Sequence, residues 1–263
     1  MSTTTAITPS KPSLTTNDSA VLQALFDAES SPSSAVTIDP TLPQLPPHLN
    51  ISTKEHTSLQ AREKEIISPL ASTTQPTPET LQSAITALDT LTKHYPTYPS
   101  AYANRAQVLR MLIEHEQQTT LAPDNDEETT HALFTPTTTP LLSSLLADLG
   151  QAITLSTPKS PADAISPFQA RLLADSHTHR AYLLLKISRQ LKSSDGDAGS
   201  IAGRLREIGP GGLEEMASQD FFFGGRYGNK VAQQMAVQTN PYAKMCGAIV
   251  KEAIRKEVEG EMV

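Results

Sequence analysis

Two histidines, His177 and His179, stand one residue apart in the chain. In a metal site such a pair would bind one ion from one side of the backbone. The surrounding residues have the apolar spacing of a helix, and residues i and i+2 of a helix point about 200° apart. The pair therefore does not predict a metal site.

The other residues with catalytic potential lack the motifs that would activate them. Ser, His and Asp are all present, but no nucleophile elbow or oxyanion motif accompanies them. Gly209, Gly211 and Gly212 lack the spacing and the Lys of a phosphate-binding loop. Cys246 follows a Pro-Tyr helix start, which favours a buried apolar role over that of a nucleophile. We therefore expect no catalytic residue, no metal ligand and no cofactor, and we expect that the protein is not an enzyme.

The composition argues against several classes of partner. Acidic residues outnumber basic ones, 28 against 21, which gives a formal net charge of −7 over 263 residues. No dense run of cations is present, so neither nucleic acid nor a membrane surface is an expected partner. No apolar stretch approaches the ~18 residues of a membrane span, and the Thr-rich start carries no signal-peptide pattern. With a single cysteine, we expect a cytoplasmic monomer whose partner is a protein or peptide.

Clusters of Pro, Thr and Ser divide the chain into regions. Residues 1–52 are predicted to be a mostly disordered leader with a short helix over 18–28 and a Pro-rich linker. Residues 53–238 carry the helical periodicity and form the predicted domain, with loop insertions near 117–140 and 193–212. No strand-like alternation occurs, so the predicted fold class is all-α.

Apolar spacing predicts the individual helices of the domain. They cover residues 53–68, 79–94, 100–116, 141–155, 168–192, 213–223 and 230–237, with one short helical turn at 201–208. Pro69 is expected to end the first of them. A final helix within residues 239–263 is expected to cap the open end of the domain.

Paired helices joined by short loops prompt a search for an internal repeat. Leu91, Leu88 and Ala84 lie 5, 8 and 12 residues before Pro96, separations that are typical of the second helix of a tetratricopeptide repeat. Tyr102 then stands where the next first helix would place its leading aromatic residue. Two further units repeat the order of packing residues, one with Arg105, Ala106, Leu109, Leu145, Leu149 and Ala152, the other with Arg180, Ala181, Leu184, Ala217, Phe221 and Gly224. Since about three stacked hairpins are needed to bury their apolar faces, the pattern predicts an α-α superhelix of about three repeats.

Three stretches of sequence resemble one known family. Residues 17–26 read NDSAVLQALF, residues 101–107 read AYANRAQ and residues 240–246 read NPYAKMC. In this order they resemble stretches of the tetratricopeptide repeat protein 36 family, although this chain has longer loops. The resemblance implies an adaptor of three repeats without catalytic activity, and it suggests binding to a seventy-kilodalton heat-shock chaperone.

The first helices of such repeats line a concave groove. On this basis we expect Asn104, Gln107 and Arg110 from the second unit and Tyr182 and Lys186 from the third to bind a partner. The alternative, that these residues only form a solvated helix face, is left open by the sequence.

Some repeat proteins grip a partner's terminal carboxylate with a clamp of Lys, Asn, Lys and Arg. Asn104 matches the central Asn of that clamp, but Asp175 and His179 stand where Lys and Arg are required. An Asp at this position would repel a carboxylate. The resemblance therefore does not predict binding of this kind.

Two functions remain as the main candidates after these exclusions, with an uncharacterised hydrolase as a third alternative. The first is a non-catalytic adaptor that binds other proteins, with a chaperone as the candidate partner. The alternative is a regulatory partner that binds and stabilises a metabolic enzyme. A cochaperone would bind its chaperone in a nucleotide- or tail-dependent manner, whereas an enzyme stabiliser would copurify stoichiometrically with one client. The helix over 18–28 either packs on the repeats or inserts into a partner's groove.

Overall fold

Helices make up most of the described chain. The computed structural model describes residues 36–120, 138–193 and 200–240, together with Arg255. These residues form seven α-helices and a short 3-10 helix, Pro47–Leu49, and they contain no strand. An isolated parallel bridge joins Ile38 to Ile165. The predicted all-α class is confirmed, and the arrangement is consistent with an α-α superhelix.

The helices follow one another as packed neighbours. In chain order they are α1 (Thr53–Ala71), α2 (Pro78–His94), α3 (Pro99–Thr120), α4 (Thr138–Ser156), α5 (Pro167–Ser193), α6 (Ser200–Arg226) and α7 (Lys230–Thr239). Each helix packs mainly against the helices before and after it, and α3 also contacts α5 directly. Helices from successive hairpins therefore lie side by side.

Polar residues at three helix starts cap the free backbone N–H groups. The Ser52 hydroxyl accepts a hydrogen bond from the backbone N–H of Glu55 and begins α1. Thr77 caps α2 in the same way, and the Pro that follows it suits the first helical position. The side chain of Asn229 accepts from the backbone N–H of Ala232 at 3.0 Å and begins α7. These caps explain why the predicted starts of α1 and α7 agree with the structure and that of α2 differs by one residue.

The residues that the repeat pattern selected lie in the core. Buried among them are Ala84, Leu88, Leu91, Ala106, Leu109, Leu145, Leu149, Ala152, Ala181, Leu184, Ala217, Phe221 and Gly224. Tyr102, the expected leading aromatic, is only half-buried. Tyr98, four residues earlier, takes the buried position with an exposed fraction of 0%.

Pro69 does not end α1, which continues to Ala71. Only two residues follow Pro69 within the helix, so the backbone hydrogen bond that a proline removes is lost in the last turn alone. Leu70 is buried and anchors that turn. Packing of one apolar side chain thus extends the helix past its expected end.

Within the predicted loop at 193–212, Ser193 and residues 200–212 belong to helices, and residues 194–199 lie outside the described residues. Helix α6 begins at Ser200 and runs to Arg226, with a break at Gly209, where φ is 73° and ψ is 164°. A positive φ of this kind favours glycine, and Pro210 directly after it suits the first turn of a new helix. Helix α6 therefore consists of two segments that meet at Gly209.

The predicted insertion at 117–140 is shorter than expected. Helix α3 extends to Thr120 and α4 already begins at Thr138. The remaining residues of the predicted insertion, 121–137, lie outside the described residues. The predicted helix over 18–28 and the capping helix beyond Asn240 also lie outside them, apart from Arg255.

The segment before α1, residues 36–51, crosses to the loop between α4 and α5, and we call it the strap. The backbone N–H of Asp39 donates to the Ile165 carbonyl at 2.9 Å. Further along, the Ser166 hydroxyl donates to the Gln44 carbonyl at 2.7 Å. These contacts connect parts of the chain that are more than a hundred residues apart in sequence.

Apolar burial also holds the strap. Leu45 and Leu49 are each 5% exposed, and His48 Nε2 donates to the Leu155 carbonyl at 3.2 Å. The sequence predicted a loose linker here because prolines surround these leucines. The structure instead shows the leucines packed in the core.

Gly224 marks the closest approach of three helices. A Cβ atom at this position in α6 would lie 2.6 Å from Thr178 Oγ1 in α5 and 3.0 Å from the Ala232 Cβ in α7. It would also lie 3.3 Å from the Ala174 carbonyl oxygen. A side chain at 224 would therefore push α5 and α7 away from α6.

Gly224→Ala is expected to lower the free energy of unfolding by about 1–3 kcal/mol, because the added methyl group overpacks this crossing. Urea denaturation followed by circular dichroism measures the change. Gly211→Ala is the matched control, since a Cβ at Gly211 meets nothing within 4 Å. Equal stability of the two variants would contradict the close packing described for Gly224.

Candidate partner-binding face

The exposed sides of α3 and α5 meet along a shallow cleft. Arg110 and Glu114 from α3 and Tyr182 and Lys186 from α5 line this cleft. We call the side chains of Arg110, Tyr182 and Lys186 the cleft face. Tyr182 is 55% exposed. The cleft also has an apolar part, formed by the buried side chains of Ile113, Leu142, Leu145 and Leu183.

The cleft is too small for a metabolite. Its volume is about 20 Å³, which is room for one water molecule. Small-molecule pockets typically enclose about 300–1,000 Å³. The cleft face is therefore a candidate contact surface for a macromolecule rather than a pocket for a small molecule.

Helical spacing determines which side chains of the cleft face lie next to each other. Tyr182 and Lys186 are four residues apart on α5, so they stand one turn apart on the same side of the helix. Arg110 Nη1 forms an ion pair with Glu114 Oε1 at 2.9 Å, again across one turn. Lys186 forms no ion pair with any described residue.

The structure brings together three of the five predicted binding residues. Arg110, Tyr182 and Lys186 share the cleft, whereas Asn104 and Gln107 do not line it. Gln107 is exposed on α3. Asn104 is partly buried and donates from Nδ2 to Glu63 Oε1 at 2.9 Å. Its amide is thus engaged within the protein.

Glu63 is a buried carboxylate surrounded by neutral donors. Its Oε2 accepts hydrogen bonds from the Tyr98 hydroxyl at 2.6 Å and the Ser100 hydroxyl at 3.0 Å. Together with Asn104, these groups bind α1 to α3. Burial raises the pKa of Glu63 above its usual value, although the hydrogen bonds act against this. Burial and the nearby Glu63 charge raise the pKa of Tyr98.

Arg105 connects three consecutive helices. Its Nε donates to Asp148 Oδ2 at 2.7 Å and its Nη2 to Asp148 Oδ1 at 2.5 Å, which joins α3 to α4. Its Nη1 forms an ion pair with Asp89 on α2 and donates to the Thr92 hydroxyl at 3.1 Å. Two-point pairing of this kind fixes the relative orientation of the helices as well as their distance.

Arg180 repeats this geometry one hairpin later. Its Nε donates to Asp220 Oδ2 and its Nη2 to Asp220 Oδ1, both at 2.7 Å, which joins α5 to α6. His177 Nδ1 also donates to Asp220 Oδ1, at 2.8 Å. Burial by itself would raise the pKa of Asp220, but the hydrogen bonds from Arg180 and His177 hold it below its usual value.

These two ion pairs were not predicted from the sequence, although the signal was present. Each Arg directly precedes a buried Ala at the same place in the repeat, and each Asp directly precedes a buried apolar residue. A charged residue next to a core position, repeated at equivalent places in two units, indicates a partner across the hairpin.

His179 lies on α5, close enough to Arg110 to be affected by its positive charge. Its Nε2 is buried and has no hydrogen-bond partner among the described residues. Burial lowers the pKa of His179 to about 4, and the positive charge of Arg110 contributes to this. The imidazole is therefore neutral at neutral pH. His177 is bonded to Asp220 instead, and the described residues contain no group of three His, Cys, Asp or Glu side chains that could hold a metal ion.

A wider, open depression lies on another surface, between α2 and the end of α3. It has a volume of about 870 Å³ and is lined largely by polar and small side chains such as Gln82, Thr86 and Thr90. Its described lining includes the carboxylates of Glu79 and Glu116 but no aromatic side chain and no cation. The cleft face remains the candidate site.

Among the residues that the structure describes, no helix is long and apolar enough to cross a membrane.

Comparison with known proteins decides the family. The chain is 61% identical over 262 residues to the L-tyrosine degradation gene cluster protein hmgX of Aspergillus fumigatus, and the match covers 99% of each chain. This chain belongs to the hmgX family. No family model matches it, and no solved structure matches it significantly.

Membership in the hmgX family corrects the resemblance drawn from the sequence. The predicted membership in the tetratricopeptide repeat protein 36 family is wrong, and the expectations of a tetratricopeptide repeat and of chaperone binding are wrong with it. Of the three stretches behind that resemblance, only residues 101–107 lie wholly within the described chain. There, Ala101 and Ala106 are small because helices approach closely. The spacing of small residues such as Ala101 and Ala106 is a general feature of helix packing, and many helical families share it.

Asp220→Asn is expected to lower the free energy of unfolding by about 2–4 kcal/mol at neutral pH, because it leaves Arg180 without its buried charge partner. The folded pKa of Asp220 is depressed, so this contribution is present at neutral pH and is lost as pH falls through that pKa. Urea denaturation at neutral and acidic pH measures both effects. Glu215→Gln, an exposed carboxylate on the same helix, is the control and should change little.

Glu63 is expected to make the protein less stable as pH rises. Its folded pKa lies above the unfolded value of 4.5, so the folded state keeps its proton longer and loses relative stability from about the unfolded pKa up to the folded one. The difference in unfolding free energy between wild type and Glu63→Gln should fall across this window. Denaturation at a series of pH values tests this, with exposed Glu65→Gln as the control; parallel curves for wild type and Glu63→Gln would contradict it.

Proposed function

We propose that this chain is a non-catalytic protein that binds and stabilises an enzyme of L-tyrosine degradation. Its relative with 61% identity is named for the L-tyrosine degradation gene cluster. A gene cluster groups proteins of one pathway, so the pathway's enzymes are the natural candidates for a binding partner. Both chains match along nearly their whole length, which supports a shared role.

The observation that carries the proposal is the cleft face itself. Tyr182 is an aromatic side chain with more than half of its surface exposed, and Arg110 and Lys186 line the same cleft. Tyr and Arg are the side chains that most often contribute strongly to binding at protein interfaces. Since the cleft has no room for a metabolite, a protein surface is the partner that fits it.

The bonding of the buried carboxylates supports the non-catalytic part of the proposal. Glu63, Asp148 and Asp220 each accept at least two hydrogen bonds from side chains of this chain. These groups hold helices together, and proton transfer to a substrate would break the bonds that position them. The expected effect on the enzyme follows from mass action, because a partner that binds only the folded state stabilises it.

Affinity purification tests the proposal. The tagged chain is expected to recover one enzyme of L-tyrosine degradation in near-stoichiometric amount from source cells grown on L-tyrosine. A triple variant, Arg110→Ala/Tyr182→Ala/Lys186→Ala, should lower recovery at least about tenfold because it removes the aromatic and cationic contacts. The purified enzyme should also keep its activity longer on warming when the intact chain is present.

The control variant is Lys93→Ala/Val231→Ala/Val237→Ala. Val237 is 55% exposed, the same fraction as Tyr182, and all three residues lie on helices that do not line the cleft. Its recovery of the enzyme should equal that of the intact chain. The proposal fails if no enzyme of the pathway is recovered, or if the purified chain alone converts an intermediate of the pathway.

A further inference from the structure

Charge is unevenly distributed along the exposed side of α5. Arg171 and Asp175 lie near its start, and the Arg171 charge acts on the Asp175 carboxyl. Lys186 and Arg189 lie near its end, where neither forms an ion pair with a described residue. Lys186 is about 16 Å further along the helix than Asp175, at 1.5 Å per residue. The acidic residue that argued against anion binding in the sequence is thus remote from these two cations.

Arg110 adds a third cation from the neighbouring helix α3. Its Nη1 pairs with Glu114, whose side chain is 45% exposed. Its Nε is buried without a hydrogen-bond partner among the described residues, so what Arg110 offers a partner is the positive charge of its guanidinium. The described residues here supply three cations, Arg110, Lys186 and Arg189, and the cleft lining holds one carboxylate, that of Glu114, although the whole chain carries a formal charge of −7.

The size and shape of the region decide what kind of anion fits. The cleft of about 20 Å³ cannot enclose a free metabolite, and three cations are too few to follow a nucleic-acid backbone. Tyr182 lines the cleft together with Arg110 and Lys186, and the rest of the lining is largely apolar. This combination suits a peptide segment that carries carboxylates next to an apolar side chain.

We propose that the cleft face and Arg189 bind an acidic segment of the partner enzyme. Carboxylates of the segment pair with Lys186, Arg189 and the guanidinium of Arg110, while an apolar side chain of the segment contacts Tyr182. The proposal rests on the proposed function for the identity of the partner. The chemistry of the binding surface stands independently, on the charges of its three cations and on the exposure of Tyr182.

Overlapping short peptides that cover the enzymes of L-tyrosine degradation provide the probe. The purified full chain is expected to bind peptides rich in Asp and Glu with an apolar residue among them, and to lose them when Asp and Glu are replaced by Asn and Gln. Lys186→Glu/Arg189→Glu should weaken binding about tenfold or more, because it converts attraction into repulsion. Lys93→Glu/Lys230→Glu makes the same charge change on α2 and α7 and should bind as wild type does.

The possible outcomes separate this proposal from the proposed function. If the whole enzyme is recovered equally well by wild type and by Lys186→Glu/Arg189→Glu, the acidic-segment proposal is overturned while the proposed function stands. If acidic peptides bind in the expected way but no enzyme is recovered, the proposed function fails and the chemistry of the surface is supported.

One competing occupant belongs to this chain. Asp124, Asp126, Glu127 and Glu128 form an acidic stretch between α3 and α4. A variant with these residues changed to Asn and Gln tests it. If wild type binds no acidic peptide and this variant does, the chain's own stretch is the occupant and the proposal of a partner segment is overturned. Equal binding by both supports the partner segment.

Discussion

The arrangement of the helices depends on a paired contact between an arginine and an aspartate that occurs twice. Arg105 meets Asp148, and Arg180 meets Asp220, through the same pair of nitrogen and oxygen atoms. Each pair joins the first helix of a hairpin to the second, and both aspartates are buried. Apolar packing would tolerate small rotations of one helix against another, but a two-point bond does not. The core supplies most of the stability, and these pairs determine which arrangement the core stabilises.

This constraint also determines what the protein presents to its surroundings. Arg180 and Tyr182 are two residues apart on α5, so they point to opposite sides of the helix. Because Arg180 is held against α6, Tyr182 is directed away from it, toward the cleft with α3. A binding surface supported in this way is already formed before its partner arrives, so little conformational entropy is lost on binding. The buried Glu63 network has a comparable role at the other end of α3, where it holds Asn104 and ties α1 in place.

Much of the fold could be predicted from the sequence, because helical periodicity and small residues at close crossings are local signals. The buried positions of α2, α3, α4 and α5 follow directly from that spacing.

The strap could not be predicted, since the burial of Leu45 depends on contacts with residues far away in sequence. The break at Gly209 within a longer helix is ambiguous in the same way, because a glycine next to a proline is equally typical of a loop. For the site, the position of Tyr182 and Lys186 on one face of α5 could be predicted from their helical spacing. The role of Asn104 could not, because it depends on a hydrogen bond to Glu63, a buried carboxylate on another helix. Residues 101–107 could not identify the family, because packing motifs of this kind are shared by many unrelated helical chains.

The strap has a consequence for how the molecule comes apart. In a stack of helical hairpins each unit touches only its neighbours, so the ends fray independently and unfolding spreads from them one unit at a time. Residues 36–51 add a bond between the beginning of the stack and its middle, through Asp39, Gln44 and His48. The first hairpin then cannot open freely while the strap remains attached to the loop between α4 and α5. A chain built from nearly independent units thereby gains some of the all-or-none cooperativity of a globular domain, at the expense of slower folding through a contact between distant residues.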